Sequence, residues 1–252
     1  YDMPFWMYPC HCDHCKRKYK EEFGKEIPEN VDSKGWKQFL FDREKWADEY
    51  LRALYEHAKA VKPSVSVQYN YAFAVLNALD RFASECVNEY QEYASGDIYG
   101  SFYRHSFACK IFAASTNMKP FENMTGRCDP GLSSHTITKS PDRFRLATML
   151  TTAHHGANFV IDAIDPVGTM DERFYEKLGK QYAEVEHYEP YLKTGEMIKD
   201  VGLFYIMEAR NDGSPDGNGP FCHYNATLGA AKNLATLHIP YGILTQAKCS
   251  DI

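Results

Sequence analysis

The chain has 252 residues, 44% of them hydrophobic, enough to bury a sizeable core as one large domain or two modest ones. Its 34 acidic and 28 basic side chains leave a net charge of -6, which argues against a nucleic-acid or anionic-membrane partner, since either needs a basic face. No apolar run approaches the length that spans a bilayer.

The first residues, Tyr1-Asp-Met-Pro-Phe-Trp-Met-Tyr-Pro-Cys-His-Cys-Asp-His-Cys15, set a carboxylate, Asp2, among aromatic rings and follow it with three cysteines in the pattern C-x-C-x-x-C. Thiolates so closely spaced can converge on one tetrahedral ion, and soft sulfur ligands suit zinc. Rings beside a carboxylate also suit a sugar site, where an aromatic face stacks on a pyranose while acids do the chemistry. The eight cysteines are dense here and sparse elsewhere. That distribution reads as a metal knot plus buried free thiols in a reducing compartment, and so as a cytoplasmic protein. The opening at Tyr1 and the close on Gln246–Ile252 straight after a strand pattern read as an internal piece of a longer chain.

Lys16–Phe23 is charged and helical in pattern, with Gly24 as its C-cap, and an amphipathic helix follows from about Gly35 to Lys62, ended by Pro63. Val65–Tyr71 alternates and reads as a strand, Asn77–Glu92 as helix or loop, and Gly96–Gly100 as a short strand. A helix over Phe102–Ala114 precedes a strand over Lys119–Met124. The polar segment Thr125–Ser140 is long enough to be a functional loop. Pro141 opens a helix to His155 with Gly156 as C-cap. Asn158–Ile164 is nearly all apolar, as a strand buried on both faces is. A helix over Asp171–Leu192, a strand over Asp200–Ile206, the polar loop Asn211–Pro220, a helix over Tyr224–Leu237 and a strand over Tyr241–Thr245 complete the chain. Strands alternating with helices predict βαβ units and parallel sheet. Polar residues gather where the strand patterns end: Tyr69 and Asn70, Asp97 and Tyr99, Glu122 and Asn123, Asp162 and Asp165. Each alone reads as a cap or turn residue. Together they predict a site at the C-terminal ends of parallel strands, where loops converge.

The segment Asp2-Met-Pro-Phe-Trp6, followed by Cys10-His-Cys-Asp-His-Cys15-Lys-Arg-Lys-Tyr19, resembles glycoside hydrolases that join a (β/α)8 barrel to a trimerisation domain. These are the thermophile-type beta-galactosidases and related alpha-L-fucosidase-like families (glycoside hydrolase families 42, 29 and 151). Pro120-Phe-Glu-Asn-Met-Thr125 resembles their seventh-strand segment with its catalytic Glu, and Asp200-Val-Gly-Leu-Phe-Tyr205 the entry strand of their flavodoxin-like domain. The resemblance implies an α/β fold in which residues 1–195 are the C-terminal part of a TIM barrel, from the end of strand four to helix eight. Residues 196–252 then begin a flavodoxin-like trimerisation domain. It implies a carbohydrate substrate, a structural zinc on Cys10, Cys12 and Cys15, no organic cofactor, and a homo-oligomer, trimer or dimer, for the full-length protein. Galactosidases place Asn-Glu where this chain has Tyr1-Asp2, so Asp2 is more like the fucosidase nucleophile. Their fourth zinc cysteine comes from earlier in the chain, which leaves His11 or His14 as substitutes here.

The resemblance makes Asp2 and Glu122 the catalytic pair of a retaining enzyme acting on a terminal alpha-L-fucoside or beta-D-galactoside. Asp2 is taken as nucleophile, with the reverse assignment, as in the galactosidases, left open. Trp6, Tyr69 and Tyr99 are candidates for sugar stacking, and Asn70, Asp97, Arg127 and His135 for polar contacts to the substrate; core aromatics and ordinary loop residues are the plainer readings. A second reading is a carbohydrate-binding or scaffold protein that kept the barrel and lost the acids. A zinc hydrolase is a third and weaker one, because all-sulfur zinc sites are normally closed.

Overall fold

The computed structural model describes residues 10–30, 32–70, 85–129, 134, 137–163, 167–192, 195–207 and 223–249. The first helix, α1 (Asp13–Phe23), starts at an extended Cys12, has Asp13 in its first turn where the helix dipole favours negative charge, and ends at Gly24 with φ 68°. Tyr19 is its one buried residue. Its ring meets Phe39 edge-on at 5.3 Å and Trp46 at 5.9 Å, and its hydroxyl donates to Asp42 at 2.7 Å. Those three residues lie on α2 (Trp36–Val61), so one tyrosine fixes the two helices together.

Residues 65–69 run without ladder pairing, and Asn70 alone bridges Ser95 in parallel. The expected strand here is thus a single bridge. Its backbone is satisfied partly by a side chain, Val67 N–H donating to Glu92 Oε2 at 2.6 Å. Glu85–Tyr90 forms a short 3-10 helix. Three strands then pair in parallel in the order β1 (Ser95–Asp97), β2 (Glu122–Gly126), β3 (Ala157–Ile161), as the alternation of helix and strand predicts. The crossovers contain α3 (Phe102–Ser115) and α4 (Pro141–Ala153), capped by Ser101 and Ser140, whose hydroxyls accept from Arg104 and Arg143 N–H. At the end of α4 the left-handed residue is His155, with φ 61°, and not Gly156 as expected. Gly156 is required for another reason: a Cβ there would lie 2.4 Å from the Phe121 ring and 2.9 Å from the Thr151 methyl. Helix α5 (Glu172–Glu186) and the short α6 (Glu189–Leu192) follow.

The sheet's helix-facing side includes a fully buried polar group. Asn123 Nδ2 donates to Thr151 Oγ1 at 2.6 Å and approaches His105 Nε2 at 3.0 Å, tying β2 to α4 and α3. By strand alternation Glu122 and Met124 point the other way. Strand β3 is not buried on both faces, contrary to its apolar sequence. It is the edge of the described sheet, and Phe159 is 46% exposed.

A second, two-stranded parallel sheet joins β4 (Val201–Phe204) to β5 (Tyr241–Leu244), with α7 (His223–Thr236) between them in the chain. It shares a core with α3. Phe107 meets Tyr205 at 5.7 Å and Tyr224 at 5.8 Å, and Ala231, Tyr241 and Ile243 complete the cluster. No helix among the described residues is long and apolar enough to cross a membrane.

Candidate functional site at the C-terminal end of the sheet

The polar residues that end β1, β2 and β3 form two linked groups. After β1, Asn70 Nδ2 donates to Asp97 Oδ2 at 3.3 Å, and both residues are buried. Tyr99 follows two residues on, half-buried. Its phenol pKa is raised, first by burial and then by the charges of Asp97 and Cys128, so it stays a proton-bearing donor at neutral pH. After β2 and β3, Arg127 forms an ion pair with Asp162, donates to Ala163 O at 3.1 Å and Thr138 Oγ1 at 3.4 Å, and lies 5.4 Å from the Phe174 ring. With these partners Arg127 acts as a clamp on the residue 127–139 segment.

Between the groups stands Lys139, which sequence reasoning did not single out. Its ammonium donates to Thr125 Oγ1 at 3.0 Å and to Gly126 O, and lies 5.8 Å from the Tyr99 ring. Burial lowers its pKa, with Asp129 opposing. The one signal in the sequence is its position, a lone lysine ending the long polar loop just before Ser140-Pro141.

Asn70, Asp97, Tyr99 and Asp162 therefore lie at one end, as the strand-end pattern predicts, and Arg127 from the following loop lies there too. Glu122 does not. It is the first residue of β2, paired in register with Ser95, whose hydroxyl donates to it at 2.9 Å. Gly126 ends the same strand four residues on, roughly 13 Å away at about 3.3 Å per residue. The expected placement of Glu122 at the site mouth is thus corrected: the strand begins after Phe121, three residues later than its apolar pattern suggests. Tyr69 is likewise not a stacking surface. It is fully buried against Leu51, Val67 and Val87, and its hydroxyl donates to Leu51 O at 2.6 Å. Asp2, Trp6, His135 and Asp165 lie outside the described residues.

Away from this end, the ligand atoms of Cys10, Cys12 and Cys15 lie within 4.8 Å of one another. Zinc–sulfur bonds of about 2.3 Å in a tetrahedron put sulfurs roughly 3.8 Å apart, so the three thiols fit one metal ion. Cys12 sits at the N-cap of α1 and Cys15 in its first turn, where backbone N–H groups favour thiolates. The Cys12 pKa is lowered, chiefly by the Cys15 backbone N–H, while burial and the two neighbouring thiols push Cys15 up to about 12. One shared cation would relieve that crowding of negative charge.

No protein-family model matches the chain, and no curated protein does. Solved structures do. Alpha-L-fucosidase isoenzyme 2 from Paenibacillus thiaminolyticus superposes with a TM-score of 0.73 and 21% identity over 96% of this chain and 34% of its own. A beta-galactosidase from Bacillus circulans sp. alkalophilus gives 0.72 at 14% identity over 94% of this chain and 43% of its own. A catalytic mutant of a GH42 beta-galactosidase from G. stearothermophilus gives 0.71 at 13% over 95% and 44%. The chain has a glycoside hydrolase-like fold. It spans between a third and a half of the length of these neighbours.

Proposed function

We propose that the chain is part of a glycoside hydrolase whose sugar site lies at the C-terminal ends of β1, β2 and β3. One observation carries this reading. A fold shared with a fucosidase and beta-galactosidases carries its buried carboxylate contact, Asn70 to Asp97, at the end of a parallel sheet where loops converge. The substrate is a terminal alpha-L-fucoside or beta-D-galactoside, cleaved with retention. Retention needs two carboxyl groups roughly 5–5.5 Å apart, one attacking the anomeric carbon and one moving the proton of the leaving oxygen. Glu122 is replaced in the pair by Asp97, with Asp2 as the other member. Tyr99 and Lys139 supply donors to hydroxyls and to developing negative charge. The Arg127–Asp162 pair holds the loop in place.

The second reading, a carbohydrate-binding protein without turnover, is favoured by the Arg127 guanidinium, which ties up Asp162 and leaves Asp97 as the other described carboxylate ending a strand of this sheet. Turnover of nitrophenyl alpha-L-fucoside and beta-D-galactoside by the full-length protein separates the two. Hydrolysis lost on Asp97→Gly and rescued by azide supports the enzyme; saturable sugar binding with no turnover supports the binder. In the same reading Cys10, Cys12 and Cys15 hold a structural zinc, residues 1–195 belong to a (β/α)8 barrel, and residues from 196 begin a flavodoxin-like domain through which the protein assembles as a trimer or dimer in the cytoplasm. Elemental analysis before and after Cys12→Ser, and sedimentation of the full-length protein, test these points.

A further inference from the structure

The opposite end of the two sheets has a different character. Before β2, β3, β4 and β5 begin, the chain forms a partly open cavity of about 210 Å³. Lys110, Lys119, Lys199, His154 and His155 line it, against one acid, Glu196. Among the described residues none of the three lysines takes part in an ion pair. Lys110 has a single hydrogen bond there, to Tyr241 O at 2.7 Å, which leaves two of its three N–H donors. His154 is buried, with Nε2 2.9 Å from Ser106 Oγ and Nδ1 without a partner among the described residues.

Two glycines shape the lining. A Cβ on Gly242 would stand 2.7 Å from Lys199 Cδ and 3.2 Å from its Cγ, so the lysine stem crosses β5 over a residue without a side chain and would have to shift for any other. A Cβ on Gly195 would stand 2.9 Å from Tyr191 O and 3.3 Å from the His155 ring, so the same holds for the segment that closes over that histidine.

We infer that this cavity binds an oxyanion of the phosphate type, held by Lys110, Lys119 and Lys199 with His154 and His155 beside them. Compact ammonium charges suit the tetrahedral oxygens of a phosphate. Lys110 is already held below the ordinary lysine range, by burial first and by Lys199 second, and a bound anion removes that repulsion. The volume is below that of a drug-sized pocket, which limits the group bound here to a small one. A larger cavity of about 730 Å³ shares Lys119, His155, Gly195 and Glu196 with it. The phosphate therefore comes either free or as a monoester whose organic body extends into the second space. This site is independent of the sugar site at the other end of β2.

The test is calorimetric titration of the full-length protein with inorganic phosphate and with glucose 6-phosphate at constant ionic strength, for the wild type and for Lys119→Glu, Lys199→Glu and Gly242→Ala. The lysine variants change exposed side chains, and circular dichroism checks that all three fold. Saturable binding of either probe, weakened about tenfold or more by each charge reversal, is expected, since about 1.4 kcal/mol corresponds to tenfold. Weakening by Gly242→Ala, which displaces the Lys199 stem without removing a charge, is expected too. Tighter binding of glucose 6-phosphate than of phosphate assigns the site to a monoester, and equal binding to the free ion. No saturable binding of either probe, or binding that neither charge reversal changes, overturns the inference.

Discussion

The two ends of the same short parallel sheet differ in how their charges are treated. At the C-terminal end they meet partners: Asp97 lies against Asn70, Asp162 against Arg127, and Lys139 against Thr125 and Gly126. At the N-terminal end Glu122 receives a hydroxyl from Ser95, and three lysines share a cavity lined by one acid. Paired groups around converging loops leave the first end close to charge balance, which is what the proposed neutral, hydroxyl-rich ligand would require. Like charges around a small cavity call for a counter-charge from outside. The comparison shows that a residue's end of a strand decides its chemistry, and five residues of β2 separate the two regimes.

The largest effect that sharpens the contrast is on rate. On the proposed function, replacing Asp97 by Asn is expected to lower glycoside turnover by on the order of 10²–10⁴-fold, the range of a positioned acid or base, and Glu122→Gln to leave it within a few-fold. Initial rates of the full-length variants check this. Next comes the clamp. Arg127→Ala leaves Asp162 buried without its counter-ion and is expected to cost about 3–5 kcal/mol in denaturant unfolding, while Lys199→Ala, on an exposed side chain, stays within about 0.5 kcal/mol.

Two buried histidines make stability depend on pH. Burial lowers His105 to about 4, with Lys139 adding to it, and lowers His154 to about 3, with Lys110 and the neighbouring histidines adding to it. Between these values and the ordinary 6.5 the unfolded chain binds protons that the native one does not, so stability falls as pH drops from about 6.5 towards 4. Roughly 3 kcal/mol is lost for His105 over that window. Urea midpoints across pH 4–8 check it, and His105→Gln should flatten the curve. A smaller loss is that of Ser95→Ala, which removes the donor to Glu122 and is expected to cost about 1 kcal/mol in the same assay.

Much of this arrangement was legible locally. Gly24 marks the end of α1, Gly35 and Pro63 bracket α2 within a residue or two, Ser140-Pro141 marks the start of α4, and the alternation of patterns predicts the parallel pairing. The placement of Asn70, Asp97, Tyr99 and Asp162 also follows from strand ends alone. What was not legible depends on partners distant in sequence. The start of β2 is set by pairing with Ser95 and Ala157, and the one local sign of it is Pro120, which has no N–H to give to a ladder. Tyr69 sits in an alternating stretch whose buried face is chosen by Leu51 and Val87. Lys139 finds Thr125 from fourteen positions further along the chain, a contact no local pattern encodes.

The most direct test of the central claim, that carbohydrate binds at the C-terminal end of this sheet, is residue-resolved amide hydrogen exchange on the full-length protein with and without saturating L-fucose or D-galactose. The account predicts slowed exchange at Asp97–Gly100 and Gly126–Asp129, with Glu122 and its neighbours unchanged. Protection centred on Phe121–Asn123, with no change at Asp97–Gly100, would contradict it.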